Sequence, residues 1–372
     1  MKILMLNYEF PPLGGGAGNA NYYILKELSR YPDLEIDLIT SSAGKYRYEQ
    51  FAEKIKVHYL DINKNERKLH YQTNRDLLLY TWKAYRYAQK LIKREQYELC
   101  HAFFGIPCGY LAMKLSLPYI VSLRGSDVPF YNRRFYWLDK LIFRRLSARI
   151  WKKAKRVIAN SAGLKELAKA ACPDQDISVI WNGVDIEDFY PGNKNRKKVS
   201  GKVKLISVGR LIERKGYRYL IEAIKNMPNV ELKLIGDGKL KEELEELARK
   251  YRVQVKFMEK VKHEHIAEHL RKADIFILPS LNEGMSNAVI EAMACGLPVI
   301  TTDTGGSQEL IKGNGFIVRK GAISNLEDAI KKFIVNPDLI KTMGNVSREL
   351  AEKMDWKNVA ASYHAIYSSI VG

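Results

Sequence analysis

The sequence is short of cysteine and has none of the spacings that cysteine chemistry uses. Its four cysteines, Cys100, Cys108, Cys172 and Cys295, form no CxxC pair, which argues against the common zinc and thioredoxin-like patterns. With 372 residues, 46% of them apolar, the chain can build cores without disulfide staples, so reduced thiols in a cytoplasmic protein are expected. No run of about 18 apolar residues occurs, so no transmembrane helix is expected. The start, 1–6, lacks the longer apolar segment and small-residue cleavage site of a secretory signal. Low-complexity tracts and short repeats are missing, and the apolar content excludes disorder over most of the length. Acidic residues are also in short supply: 42 Asp and Glu face 61 Lys and Arg, a net charge of +19. Such an excess points to an anionic partner, whether nucleic acid, anionic lipid or a phosphorylated small molecule.

What is present is alternation. Short apolar runs at 2–7, 36–40, 55–60, 99–102, 119–123 and 156–159 read as strands, with helical patterns at 19–29, 76–94 and 135–154. The polar, basic stretch 191–204 breaks the rhythm and reads as a linker. Strand patterns then resume at 204–208, 231–235, 255–258, 275–278 and 298–301, with helices at 217–225 and 241–251. The fold class is therefore α/β, with two separate parallel sheets covered by helices. Each sheet should bind ligand at the carboxyl ends of its strands, and a ligand touching both would lie in a cleft between them.

Three loops in that frame carry candidate chemistry. The glycine-rich stretch 11–18 follows the first strand, where glycines permit close backbone approach and the next helix attracts anions. Its spacing is neither GxGxxG nor a P-loop, and a tight turn is the competing reading. Arg210 and Lys215 follow the first strand of the second half, where they can pair with phosphate oxygens. The bland alternative is a solvated basic loop. In the third loop, Glu283 and Glu291 are separated by seven residues, and Asn282 or Ser286 can cap a helix containing Glu291. A carboxylate reads sugar hydroxyls well because it accepts two hydrogen bonds at once. Glu291 precedes the small, apolar run Ala292-Met293-Ala294-Cys295, so partial burial is expected.

The stretch from Glu283 to Val299 resembles the E-x7-E signature of the retaining family 4 glycosyltransferases, which have the GT-B fold. Other segments resemble the family in order: Gly14-Gly15-Gly16, Asn182-Gly183-Val184-Asp185, Gly209-Arg210-Leu211 with Lys215-Gly216, Gly236-Asp237-Gly238 and Thr304-Gly305-Gly306. The resemblance spans nearly the whole chain. It implies two Rossmann-like domains facing a central cleft: an acceptor domain 1–190, a nucleotide-sugar domain 191–355, and a terminal helix 356–371 packing back on the first.

The implied roles are specific. Arg210 and Lys215 would neutralise the donor diphosphate, Glu291 would hold the ribose hydroxyls, and Glu283 would contact the sugar near its anomeric carbon. Backbone amides of Gly284, Met285, Ser286 and Asn287 would touch the diphosphate or sugar, and Gly15 and Gly16 would close on it. Val261 falls where the base-contacting loop lies, although Glu259 replaces a usual glycine. Arg124 stands where the family has a histidine, with Asp127 nearby, and these two join Glu283 as catalytic candidates. Arg124 cannot act as a base, and a structural ion pair with Asp127 is its ordinary alternative. His101 is a possible substitute donor. The resemblance implies no cofactor and no metal, since cations and helix amides replace the divalent ion. Although His263, His265 and His269 suggest a metal, a solvated helix face is the simpler reading.

The expected reaction is hexosyl transfer with retention from a UDP-, GDP- or ADP-sugar to an acceptor hydroxyl. Front-face substitution and a covalent intermediate on Glu283 both remain open. The rivals are a nucleotide-sugar epimerase of the same fold and a weakly catalytic sugar-nucleotide-binding protein. The remaining charge is concentrated. Residues 124–156 hold eleven Lys or Arg against two Asp, interleaved with aromatics including Phe135, Trp137 and Trp151. Residues 64–94 hold nine against two, with Tyr71 and Trp82. Basic, aromatic segments suit an anionic membrane surface, and ordinary solvated faces are the alternative. The acceptor is accordingly expected to be a glycan or lipid-linked, with the protein peripheral at the inner face of the membrane. No nucleic-acid motif accompanies the charge.

Overall fold

The computed structural model describes residues 1–64, 69, 72–132, 136–192, 201–259 and 261–372. Most of the expected linker, with Tyr71, Phe135 and Lys260, lies outside the described residues. The chain forms two compact units: 1–182 with 356–372, and 183–355.

The first unit is built on an eight-stranded sheet. Its strands are β1 (Lys2–Leu6), β2 (Glu35–Ser42), β3 (Arg47–Ala52), β4 (Ile55–Asp61), β5 (Leu99–Phe103), β6 (Tyr119–Leu123), β7 (Arg156–Ala159) and β8 (Ser178–Val179). They run in the order β3-β4-β2-β1-β5-β6-β7-β8. All pairings are parallel except β3 with β4. The parallel strands read as unbroken apolar runs because helices cover both faces; Ile3, Leu4, Met5 and Leu6 are all fully buried. The β3 strand was not expected. Its residues are mostly exposed, so no alternating apolar face marked it.

Local chemistry sets the helix starts. Thr73 and Asp76 form a reciprocal capping box on the helix Asn74–Ile92, with Lys64 held on Asp76 at 2.7 Å. Ser161 caps Ala162–Ala171 through the Leu164 N–H at 3.1 Å. The helix expected at 135–154 is instead three pieces: Tyr136–Leu138, a π-helical stretch Asp139–Phe143, and Arg144–Lys153. The last helix, Trp356–Val371, packs on this unit. Trp356 stacks on Tyr23 at 5.8 Å, and His364 meets Asp33 at 3.0 Å.

The second unit has six strands: β9 (Val203–Val208), β10 (Val230–Ile235), β11 (Val255–Met258), β12 (Ile275–Leu278), β13 (Val299–Thr302) and β14 (Gly315–Val318). They form a parallel sheet in the order β11-β10-β9-β12-β13-β14. This compact unit starts at Gly183, a few residues before the expected boundary at Tyr190. The Val184 N–H binds the Met354 carbonyl at 2.8 Å, Phe189 is buried in this unit's core, and its carbonyl accepts from Arg348 at 2.8 Å.

Candidate active site

Each sheet has one point where the strand order reverses, between β1 and β5 in the first unit and between β9 and β12 in the second. Outside the carboxyl ends of strands at such a point lies the default ligand site of an open α/β sheet. The sequence candidates gather at these two places.

In the first unit, Asn7 ends the β1 turn, bound to Asn21 at 3.0 Å and accepting the Glu9 N–H at 3.0 Å. The glycine loop wraps around Glu9: the Gly15 N–H donates to its carboxylate at 3.1 Å. Gly14 has φ +91°, and a Cβ there would lie 2.6 Å from the Glu9 Cβ. A carboxylate of the chain therefore stands at the start of the helix Gly16–Leu28, while Gly16 itself is exposed. Glu9 is a site residue that sequence reasoning missed.

Asp127 is not the ion-pair partner of the Arg124 side chain. Its buried carboxylate accepts three backbone N–H groups, from Gly105 at 2.7 Å, Gly125 at 2.8 Å and Arg124 at 2.9 Å. Burial pushes the carboxyl up and these amide bonds pull against it. With these three bonds Asp127 holds the loop that carries Arg124. The Arg124 guanidinium donates to Asn182 at 2.8 Å and sits 5.5 Å over the Phe103 ring. His101 is not a substitute donor. Its two ring nitrogens meet the Tyr367 hydroxyl at 2.6 Å and Ser122 Oγ at 2.8 Å. Burial, helped by the Arg124 cation, lowers its pKa to about 3, so the ring stays neutral.

In the second unit the loop after β9 is pressed onto the loop after β12. The turn Glu213–Lys215 ends at Gly216 with φ +67°, where a Cβ would lie 2.1 Å from the Pro279 carbonyl oxygen. The Leu281 N–H binds the Arg214 carbonyl at 2.7 Å. This docking brings Lys215 Nζ onto Glu283 Oε1, which also accepts from Ser280 Oγ at 3.0 Å. Burial pushes the Glu283 carboxyl up, but the Lys215 and Arg214 cations outweigh it and hold the group below the ordinary carboxylate value. Arg210 is exposed on the same loop.

The far wall is equally tight. A Cβ at Gly305 would lie 2.7 Å from the Glu283 carbonyl oxygen, and one at Gly306 2.9 Å from that of Gly284. These contacts hold the stretch Glu283–Asn287 against the loop after β13. Ser286 stands at the N-cap of the helix Asn287–Ala294 without a side-chain capping bond. Glu291, about one turn in rather than the expected two, is buried as expected and accepts from His263 Nε2 at 2.9 Å. Burial lowers the His263 pKa, but the Glu291 carboxylate outweighs it and raises the pKa overall. His263 therefore belongs to the site rather than to a solvated face. Its partner lies 28 residues away, so no local pattern could signal the pairing. His265 is exposed and pairs with Glu264 and Glu268. Among the described residues, no group of three or more His, Cys, Asp or Glu comes together as a metal site. Val261 lies between β11 and the helix His263–Arg271, packed against the apolar cluster of Ile266 and Leu270.

Comparison with known proteins bears on both units. The glycosyltransferase family 4 model matches residues 14–188, and the glycosyl transferases group 1 model matches residues 192–350. An uncharacterized glycosyltransferase of Methanocaldococcus jannaschii is 27% identical over 378 residues, covering 100% of this chain and 99% of that protein. Among solved structures, sucrose-phosphate synthase from Thermosynechococcus elongatus superposes with a TM-score of 0.85 at 20% identity, covering 100% of this chain and 99% of that one. Anabaena HepE in complex with UDP and glucose superposes with a TM-score of 0.75 at 21% identity, covering 99% and 100%.

Proposed function

We infer the reaction from one premise: the chain belongs to the family 4 glycosyltransferases and has the GT-B fold. Its activity is transfer of a hexosyl group from a nucleoside diphosphate sugar to an acceptor hydroxyl, with retention at the anomeric carbon. The observation that carries this reading is the joined pair of loops after β9 and β12. They set a lysine, two arginines and two carboxylates around one strand-order reversal.

The chemistry follows from the charges. The bond between the anomeric carbon and the diphosphate oxygen breaks, and its electron pair goes to the diphosphate. Lys215 and Arg210 stabilise that negative charge, with the amides at the start of Asn287–Ala294 beside them; one such fixed donor is worth about 10²–10³ in rate. Glu291, oriented by His263, accepts hydrogen bonds from the ribose hydroxyls. Glu283 holds a sugar hydroxyl. Its Oε1 is tied to Lys215 and Ser280, which supports front-face substitution over attack by Glu283. The acceptor oxygen then bonds to the anomeric carbon from the side the diphosphate leaves, and its proton passes to the departing phosphate oxygen. Arg124 takes, by the family resemblance, the place of a histidine and offers a fixed positive charge. It supplies no base.

The test is a panel of UDP-, GDP- and ADP-sugars, each with and without glycan and lipid-linked acceptors. Nucleotide release that depends on acceptor supports the transfer, and an anomeric configuration kept in the product supports retention. Conversion of the donor without any acceptor would mean epimerisation. Binding without turnover would mean a sugar-nucleotide-binding protein.

A further inference from the structure

We propose that the helical rod Tyr136–Lys153 docks the protein on an anionic lipid bilayer. Its inner side is anchored. The Asp139 carboxylate accepts the Phe130 N–H at 2.8 Å, and Ser147, Ile150 and Trp151 are fully buried. Its outer side carries an apolar tip. Among the described residues thirteen large hydrophobic side chains are exposed, and five of them fall within residues 136–142. Trp137 is 69% exposed, Leu141 63% and Ile142 54%. Tyr136 leans on the Phe130 ring at 5.7 Å, while Trp137, Leu141 and Ile142 stand largely exposed, and an interfacial lipid layer is an environment that buries such a tip.

Charge selects the partner. From 136 to 156 there are eight Lys or Arg against the single Asp139, which is buried and turned inward. Lys140 Nζ sits 5.6 Å over the Trp137 ring, so a cation leaves the tip at its polar edge. Further along, a cavity of about 300 Å³ is lined by Tyr110, Met113, Lys114, Leu146, Arg149 and Lys153. Three cations over an apolar floor suit a lipid phosphate with the first carbons of its chains. An acidic protein surface would satisfy the cations and leave Trp137, Leu141 and Ile142 in water. A bilayer satisfies both.

The rod is also wired to the acceptor-side loop. Asp139 holds Phe130 of the segment that follows Arg124 and Asp127. A Cβ at Gly105 would lie 3.3 Å from the Trp151 indole nitrogen, and the Gly105 N–H is bound to Asp127. A membrane seated on the rod would thus present a lipid-linked acceptor near Arg124. That last step alone rests on the transferase reading; the docking does not.

The experiment is co-sedimentation of the full chain with vesicles of phosphatidylcholine alone or mixed with phosphatidylglycerol, at low and high salt. Binding is expected only to the mixed vesicles, with loss in high salt. The Trp emission should shift to the blue on binding, and Trp137→Phe should remove most of that shift. The pair Trp137→Ser with Leu141→Ser should weaken binding at least about tenfold, and Arg149→Glu with Lys153→Glu by about the same. Unchanged thermal unfolding of these variants shows that the fold survives, because every substituted side chain is exposed. Equal binding to both vesicle types, no binding, or wild-type binding by the serine pair overturns the proposal. So does a dimer that the serine pair abolishes in the absence of lipid binding. Soluble-acceptor turnover, measured in parallel, reports separately on the transferase reading.

Discussion

In the second unit Lys215 and Glu283, 68 residues apart in sequence, form an ion pair through Nζ and Oε1. Both side chains are largely buried, 11% and 13% exposed. The lysine proposed for the donor diphosphate is thus already engaged by the carboxylate proposed for the donor sugar.

Breaking this pair should separate stability from activity. Lys215→Ala leaves a buried carboxylate with weaker compensation and should cost about 1–3 kcal/mol, read by denaturant unfolding. Adding Glu283→Gln should recover much of that stability. Turnover should stay about 10²–10³ below wild type in both variants. A single variant with normal turnover would overturn the donor site.

The same pair sets an acid limb. The folded pKa of Glu283 is held below its ordinary value of 4.5. Its stabilising contribution is therefore complete above that value and fades as pH falls through the lower folded value. Wild type should lose stability over that acid window, and Glu283→Gln should lose less. The check is the unfolding midpoint against pH for the two proteins.

The His263–Glu291 pair has the opposite sign. The folded pKa of His263 is raised above 6.5, so its contribution is complete below that value and fades as pH rises through the folded one. His263→Gln should remove this slope. In kinetics it should raise KM for the donor more than it lowers kcat, because the residue orients Glu291 rather than touching the reacting atoms. Glu291→Ala should abolish most turnover.

Asp127 and Arg124 should part company. Asp127→Asn replaces one acceptor oxygen with a donor that faces backbone N–H groups, and should cost about 1–3 kcal/mol of stability. Arg124→Ala should unfold near wild type but lower kcat by about 10². If the two variants lose stability and activity in the same proportion, the division of roles fails.

Much of the site was legible because its parts are local. Glycine loops after strands, and two carboxylates one loop and about one helical turn apart, announce themselves in a linear pattern. Glu291 was readable as a buried acid from the small apolar residues that follow it. His263 was not, because the pattern of three histidines on one helix says nothing about a carboxylate on another. Asp127 misled for a related reason. An acid three residues from an arginine suggests an ion pair, yet the turn aims three backbone N–H groups at the carboxylate and turns the guanidinium toward Asn182.

The amino-acid sequence by itself determined the alternation of strands and helices, the two parallel sheets and the loops that carry the chemistry. Apolar periodicity and glycine placement act over a few residues and need no distant partner. Only the tertiary structure decided which charges meet: Lys215 with Glu283, His263 with Glu291, the Asp127 carboxylate with backbone amides. It also decided that Trp137, Leu141 and Ile142 face outward while Trp151 is buried. A side chain's partner is set by where distant strands end in the sheet, and burial decides whether an interaction is strong enough to matter.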